Sequence, residues 1–276
     1  MGLRQISQHS ALHSPCSICA AQRLQVVQAS RRQLIRTCAV GPQLATSISS
    51  APGLKSEPWT DSPGQQNALV ELKQRFYKES APPDEATLKW YLRDRYFDVD
   101  EAEQKLRSML GWRKTFQPQS TTPQMVAAEL ASGKAYVHKY TDRYGRPPIV
   151  VRTRLHVTGQ FPLSDSKRLA AYLIDTAISQ MPPGGEQIVG IFDLRGFQFV
   201  QNADFQLAAF LVEAFFEYYP RRVSQVLFVE APWVFFPAWE IIKPLMRKYA
   251  SLVRFCSVAE LRSEFFTGET LPSDFR

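Results

Sequence analysis

Four short apolar runs rich in β-branched residues fall at 148–152, 187–192, 225–229 and 252–256, and helical patterns separate them at about 164–180, 203–219 and 234–249. A last helical pattern, 258–265, follows the fourth run. Strands alternating with helices at this spacing admit few topologies. Each crossover that returns a parallel strand to the same sheet is right-handed, and the helices must cover the sheet they connect. The expected fold class is therefore α/β, with a mainly parallel sheet and a helical layer.

A sheet of this kind often carries an enzyme, but the motifs that would make one are absent. There is no GxxxxGK[ST] loop and no GxGxxG, and Gly184-Gly185 precedes a strand, whereas a phosphate cradle follows one and opens a helix. No GxSxG elbow occurs. His138 and His156 are the only histidines after residue 132, too few for a histidine metal site without carboxylates. Asp193 closes the second strand, and Asp193-Leu194-Arg195-Gly196 reads more readily as a tight turn with an acid–arginine pair than as a catalytic acid. Cys256 has no partner in this half of the chain and reads as core. No covalent chemistry, metal or resident cofactor is expected.

The net charge of +7 suggests nucleic acid until it is located. Residues 1–50 hold Arg4, Arg23, Arg31, Arg32 and Arg36 with no lysine and no acid, so the remainder carries only +2. A basic nucleic-acid face has no support. The arginine- and serine-bearing, acid-free leader has the composition of an organelle transit peptide over residues 1–40, and its serine, glutamine and small residues favour the chloroplast over the mitochondrion. Cys16 and Cys19 have CxxC spacing but no second pair, and read as chance cysteines of the leader. Residues 41–66, rich in Pro, Ser and Gly, read as a linker.

Residues 67–132 predict a small helical lobe. Leu69, Leu72 and Phe76 mark a first helix. Asp84 caps a second that carries Leu88, Tyr91 and Leu92, and Asp98-Val99-Asp100-Glu101 opens a third as a capping box. A short fourth covers 125–130. The lobe shows no catalytic constellation. Residues 133–276 form the α/β body.

That body has more apolar bulk than one helical layer over a sheet needs. Helix 203–219 is apolar nearly all round, and the next begins Pro232-Trp233-Val234-Phe235-Phe236-Pro237. A filled core would absorb some of this. A large apolar cavity under a lid would absorb more, and the proline-broken aromatic entry suits a movable element that touches a bilayer. No run of about 18 apolar residues occurs, so no transmembrane helix is expected.

Five motifs then fall in register. Tyr91-Leu92-Arg93-Asp94-Arg95-Tyr96-Phe97-Asp98-Val99, ending Gly111-Trp112-Arg113-Lys114, resembles the N-terminal lobe of CRAL-TRIO proteins. Gly145-Arg146-Pro147, Asp193-Leu194-Arg195-Gly196, Tyr219-Pro220-Arg221-Arg222 and Ala231-Pro232 with Trp239 and Ile242-Lys243-Pro244 resemble its later hallmarks, over about residues 67–275. The resemblance implies a lipid-binding fold of the phosphatidylinositol-transfer type. It implies head-group contacts at Arg95, Ser251 and Arg254, with Arg221 in place of the family's acid. It puts Tyr219, Ile188, Gly190, Phe192 and Phe215 in the cavity wall. Phe235, Phe236, Trp239, Ile242 and Lys243 fall in the lid that meets the membrane. Ile188 and Gly190 replace the hydroxyl residues of the choline-lipid site.

The expectation is a chloroplast carrier, not an enzyme, that holds one anionic phospholipid (phosphatidic acid or a phosphoinositide). It would exchange that lipid with an anionic membrane surface as a peripheral protein. An isoprenoid carrier of the carotenoid, tocopherol or retinoid type, and a lipid sensor that moves nothing, are the alternatives. Arg95 paired with Asp94 on the lobe is the plain structural alternative for that arginine.

Overall fold

The computed structural model describes residues 58–276, all within one compact unit. The expected transit peptide and most of the expected linker lie outside the described residues. A five-stranded sheet runs β1 (Ala135–Val137), β2 (Pro148–Arg152), β3 (Ile188–Asp193), β4 (Val223–Val229) and β5 (Val253–Cys256), in that spatial order. β2 to β5 are parallel, and β1 pairs antiparallel with β2. The four strands read from the sequence are all present. The edge strand β1 went unread because three residues carry too little alternation to show.

The lobe comprises α1 (Pro63–Phe76), α2 (Glu85–Asp94), α3 (Val99–Phe116) and the short α4 (Ala127–Ala131). Asp84 accepts the Thr87 N–H at 2.7 Å, and Asp98 accepts that of Glu101 at 2.9 Å, so both caps are formed. Glu101 does not complete the box; it lies 3.7 Å from Arg95 instead. The predicted apolar positions Leu69, Leu72, Phe76, Leu88, Tyr91 and Leu92 form one buried cluster with Ala102, Leu106 and Met109 of α3.

The lobe packs directly on the body. Trp90 donates to the Pro220 carbonyl at 2.8 Å, Trp112 stacks on Tyr218 at 4.4 Å, and Arg93 pairs with Glu186 through both oxygens.

Strand alternation gives the sheet two faces. Val150, Val189, Ile191, Leu227, Val229 and Cys256 lie under the C-terminal segment with Phe265, Phe266, Leu271 and Phe275. Asp274 clasps that segment to the sheet, accepting from Arg152 at 2.5 Å and from the Tyr136 hydroxyl at 2.5 Å. The opposite face lies under α5 (Leu163–Ser179), the single turn α6 (Phe199–Asn202), α7 (Phe205–Glu213) and α8 (Phe236–Met246). A wider π-type turn, Ala214–Tyr218, extends α7, so the helix expected at 203–219 exists as two joined pieces, with the separate turn α6 before it. Asp204 caps α7 by accepting the Leu207 N–H at 2.9 Å, so the helix starts within two residues of the predicted position. A short helix, Val258–Glu260 (α9), follows β5 with a reciprocal Ser257–Glu260 capping box.

Candidate functional site, an apolar cavity under the lid

A cavity of about 230 Å³, counted as room for the centre of a water molecule, lies between the second sheet face and its helices. One water needs roughly 10–15 Å³ on that measure, so this is not a packing defect. Its floor is β2 to β4, with Ile149, Ile188, Gly190, Phe192, Val226 and Phe228. α5 supplies Leu169 and Leu173, α7 supplies Leu207 and Leu211, and Phe215 and Phe216 come from the π-type turn. α8 and the turn before it close the cavity with Phe235, Ala238, Ile242 and Met246.

Gly190 does not have a positive φ, and a β-carbon built there would meet only the Phe192 ring, at an ordinary 3.6 Å. What the glycine provides is floor without a side chain on it.

The expected wall residues Ile188, Gly190, Phe192 and Phe215 therefore line the cavity, and Tyr219 does not. Tyr219 is buried edge-on against Trp112, at the seam with the lobe. Of the lid residues, Phe235 and Ile242 face the cavity. Phe235 and Trp239 are buried in an aromatic cluster with Phe228 and Phe255, at ring distances of 5.1–6.3 Å. Phe236 is half-buried and stacks on Phe255, while Lys243 is exposed. The large apolar side chains that α8 and its preceding turn show to solvent are Trp233 (74% exposed), Ile241 (52%) and Leu245 (48%). The membrane-contact expectation for Phe235 and Trp239 is thus corrected. On a helix, Ile241 and Leu245 share one face, and that face is exposed while the rings at 235 and 239 pack in.

The expected head-group set divides. Arg95 and Arg221 meet at one carboxylate. Arg95 Nε lies 3.0 Å from Asp94, Lys105 Nζ 2.8 Å and Arg221 Nε 3.8 Å. Burial pushes the Lys105 pKa down, opposed by Asp94. Ser251 is exposed in the 3₁₀ turn Arg247–Leu252. Arg254 lies across the sheet. It is level with Leu227, forks onto Glu264 at 2.6 and 2.7 Å, and covers the Phe265 ring. Val253 and Phe255 take the cavity face of β5, so the period of two removes Arg254 from the lid side. None of Arg95, Arg221, Ser251 and Arg254 lines the cavity, and as a converging phosphate site the set is corrected.

Asp193 is the structural acid of the tight turn. It is fully buried and receives Arg195 N, Nε and Nη2 at 2.8–3.1 Å and Arg154 Nη1 at 3.0 Å. Burial opposes its charge, yet these bonds hold its carboxyl below the usual range. His138 contacts the Thr270 carbonyl at 2.7 Å, and Cys256 is buried core. No group of three metal-ligating residues occurs among the described residues.

Sequence reasoning missed the polar end of the cavity. Lys134, His156, Ser166, Asn202 and Asp204 all line it. They are scattered over 71 positions of sequence, and no spacing rule unites them; only the fold does.

A mostly parallel sheet, roofed by helices over a closed apolar chamber and braced by a helical lobe, defines an α/β cavity protein. A model of the CRAL/TRIO domain matches residues 130–275, and the chain belongs to that family. It is similar to the phosphatidylinositol transfer protein CSR1 of Eremothecium gossypii, 27% identical over 203 residues, covering 69% of this chain and 46% of the relative. It is also similar to the SEC14 cytosolic factor of Candida glabrata, 23% identical with 82% of each chain covered. An alpha-tocopherol transfer protein-like protein of Pongo abelii is 25% identical, covering 66% of this chain and 54% of that one. The chain spans from 18% to 46% of the length of three of its curated relatives. The fold resembles the crystal structure of Sfh5, with a TM-score of 0.57 at 14% identity over 74% of this chain and 84% of that one.

Proposed function

We propose that this protein carries a single lipid in the cavity and exchanges it with membranes. The observation that carries the reading is the chamber itself. Nearly all its wall is apolar, its floor is kept clear at Gly190, and it is closed by a helix with apolar side chains on both faces. The names of the relatives support a lipid-transfer role.

For the cargo, the pairing of Arg95 and Arg254 with acids away from the chamber favours an isoprenoid-type lipophile over the phosphatidic acid or phosphoinositide that the sequence suggested. The proposed compartment is the chloroplast, on the composition of residues 1–50 alone.

The experiment fills the chamber. Gly190→Leu places a branched side chain over the floor, where a β-carbon meets nothing closer than 3.6 Å. Lipid co-purifying with the variant, measured by native extraction and mass spectrometry, should fall severalfold. Vesicle-to-vesicle transfer should fall with it, while the melting temperature holds or rises, because glycine in a strand is itself destabilising. Full loading and transfer by a folded Gly190→Leu would refute the carrier reading.

A further inference from the structure

The polar side chains of the chamber are gathered at one end and joined to each other. Lys134 Nζ lies 3.3 Å from His156 Nδ1 and donates to Ser166 Oγ at 3.3 Å. His156 Nε2 lies 3.3 Å from Asp204 Oδ2, and Asn202 Nδ2 donates to the His156 carbonyl at 2.8 Å. Glu129, buried behind them, pairs with Lys134 and accepts from Ser166 Oγ at 2.6 Å. Five of these six residues line the cavity, and the rest of its wall is almost wholly apolar.

We propose that this cluster anchors the polar end of the cargo, and that it takes an uncharged hydroxyl group on a long apolar body. The inference rests on the carrier reading above and names its ligand class.

Charge comes first. Lys134, His156 and Asp204 are the only ionisable groups in the lining formed by the described residues. Lys134 is matched by Glu129, and burial together with the Lys134 charge pushes the imidazole of His156 below its usual pKa. The end of the chamber is therefore left with the negative charge of Asp204. A phosphate or a carboxylate would be repelled there, and no arginine fork lines the wall to receive one.

Hydrogen-bonding capacity points the same way. The three protons of Lys134 are directed at Glu129, Ser166 and His156 Nδ1. Nδ1 is then the acceptor, and Nε2 carries the ring proton toward Asp204. Asp204 accepts from Leu207 N on one oxygen and faces His156 with the other, and each carboxylate oxygen has a second lone pair. Asn202 keeps a second amide N–H, since one bond to the His156 carbonyl uses only one. The site offers an acceptor and a donor, which an alcohol uses together. A cargo that only accepts leaves the spare lone pairs of Asp204 unused, and a bare hydrocarbon would desolvate this end with no return.

The test uses the full chain loaded with the apolar dye 1-aminoanthracene. Dye displacement is measured with geranylgeraniol, with its methyl ether, and with dioleoyl phosphatidic acid in vesicles. The alcohol should compete about tenfold better than the ether, the scale of one hydrogen bond to a charged acceptor. Phosphatidic acid should compete worst. Asp204→Asn keeps the cap of α7 but removes the charge, and it should shrink the alcohol–ether gap to about threefold or less. Equal competition by alcohol and ether, or stronger competition by phosphatidic acid, overturns the anchor while leaving the carrier reading intact. Failure of dye and alcohol to bind at all overturns both. If Asp204→Asn shows no melting transition, the alcohol–ether comparison in the unaltered chain still decides.

Discussion

Asp94 and Glu264 govern what the arginines of this chain can do. An arginine read from a motif is a free fork, but in the fold Arg95 shares Asp94 with Lys105 and Arg221, and Arg254 spends its fork on Glu264. The Arg95–Asp94 pair was open in the sequence as the plain alternative, but the Arg254–Glu264 pair was not legible, because strand parity, not spacing, turns Arg254 away from the lid side. At the same scale, His156 makes stability depend on pH. Its folded pKa lies below the unfolded value near 6.5, through burial and then Lys134, with Asp204 and Glu129 opposing. The unfolded chain therefore binds the extra proton. The contribution is whole above pH 6.5 and is lost as pH falls through 6.5 toward the lower folded value. Melting temperatures between pH 7.5 and 5 should fall more steeply for the unaltered chain than for His156→Gln. Parallel curves would show that the imidazole does not titrate in this environment.

Among the elements, the closing helix is the instructive one. Its start was legible, since Pro237 falls in the first turn, where a missing N–H costs nothing. Its inward and outward sides were not, because aromatic and aliphatic residues occupy both. The structure separates them into two tests. Phe235→Ala, in the aromatic cluster, should cost about 3 kcal/mol of stability by chemical denaturation. Trp233→Ser with Ile241→Ser should leave the melting temperature within a few degrees and weaken binding to anionic vesicles severalfold in a flotation assay. Unchanged flotation by the double variant would show that this surface is not what meets the bilayer. The second and third lobe helices, by contrast, were read nearly to the residue, whereas α1 starts at Pro63, inside the stretch expected to be linker. Both α2 and α3 are amphipathic on their own period with a side-chain cap at the start, so local chemistry alone specifies them.

For the molecule as a whole, the alternation of strand and helix disclosed a mainly parallel sheet, and the apolar surplus pointed to a chamber, because both are averages over many residues. The polar end escaped because it is built from residues of four separate segments. The proposed address rests on a stretch of a different kind, the acid-free residues 1–50. Residues 1–40 fused to a fluorescent reporter should enter chloroplasts, and a reporter left in the cytosol or found only in mitochondria would reject that assignment. Within the folded part, the π-type turn Ala214–Tyr218 joins two regions that would otherwise be separate. Phe215 and Phe216 project into the chamber, while Tyr218, two residues on, stacks on Trp112 of the lobe. Whatever swells the chamber presses on the same short coil that holds the lobe. The lobe thus stands as a buttress behind the chamber, with two indoles, Trp90 and Trp112, gripping the far side of its wall.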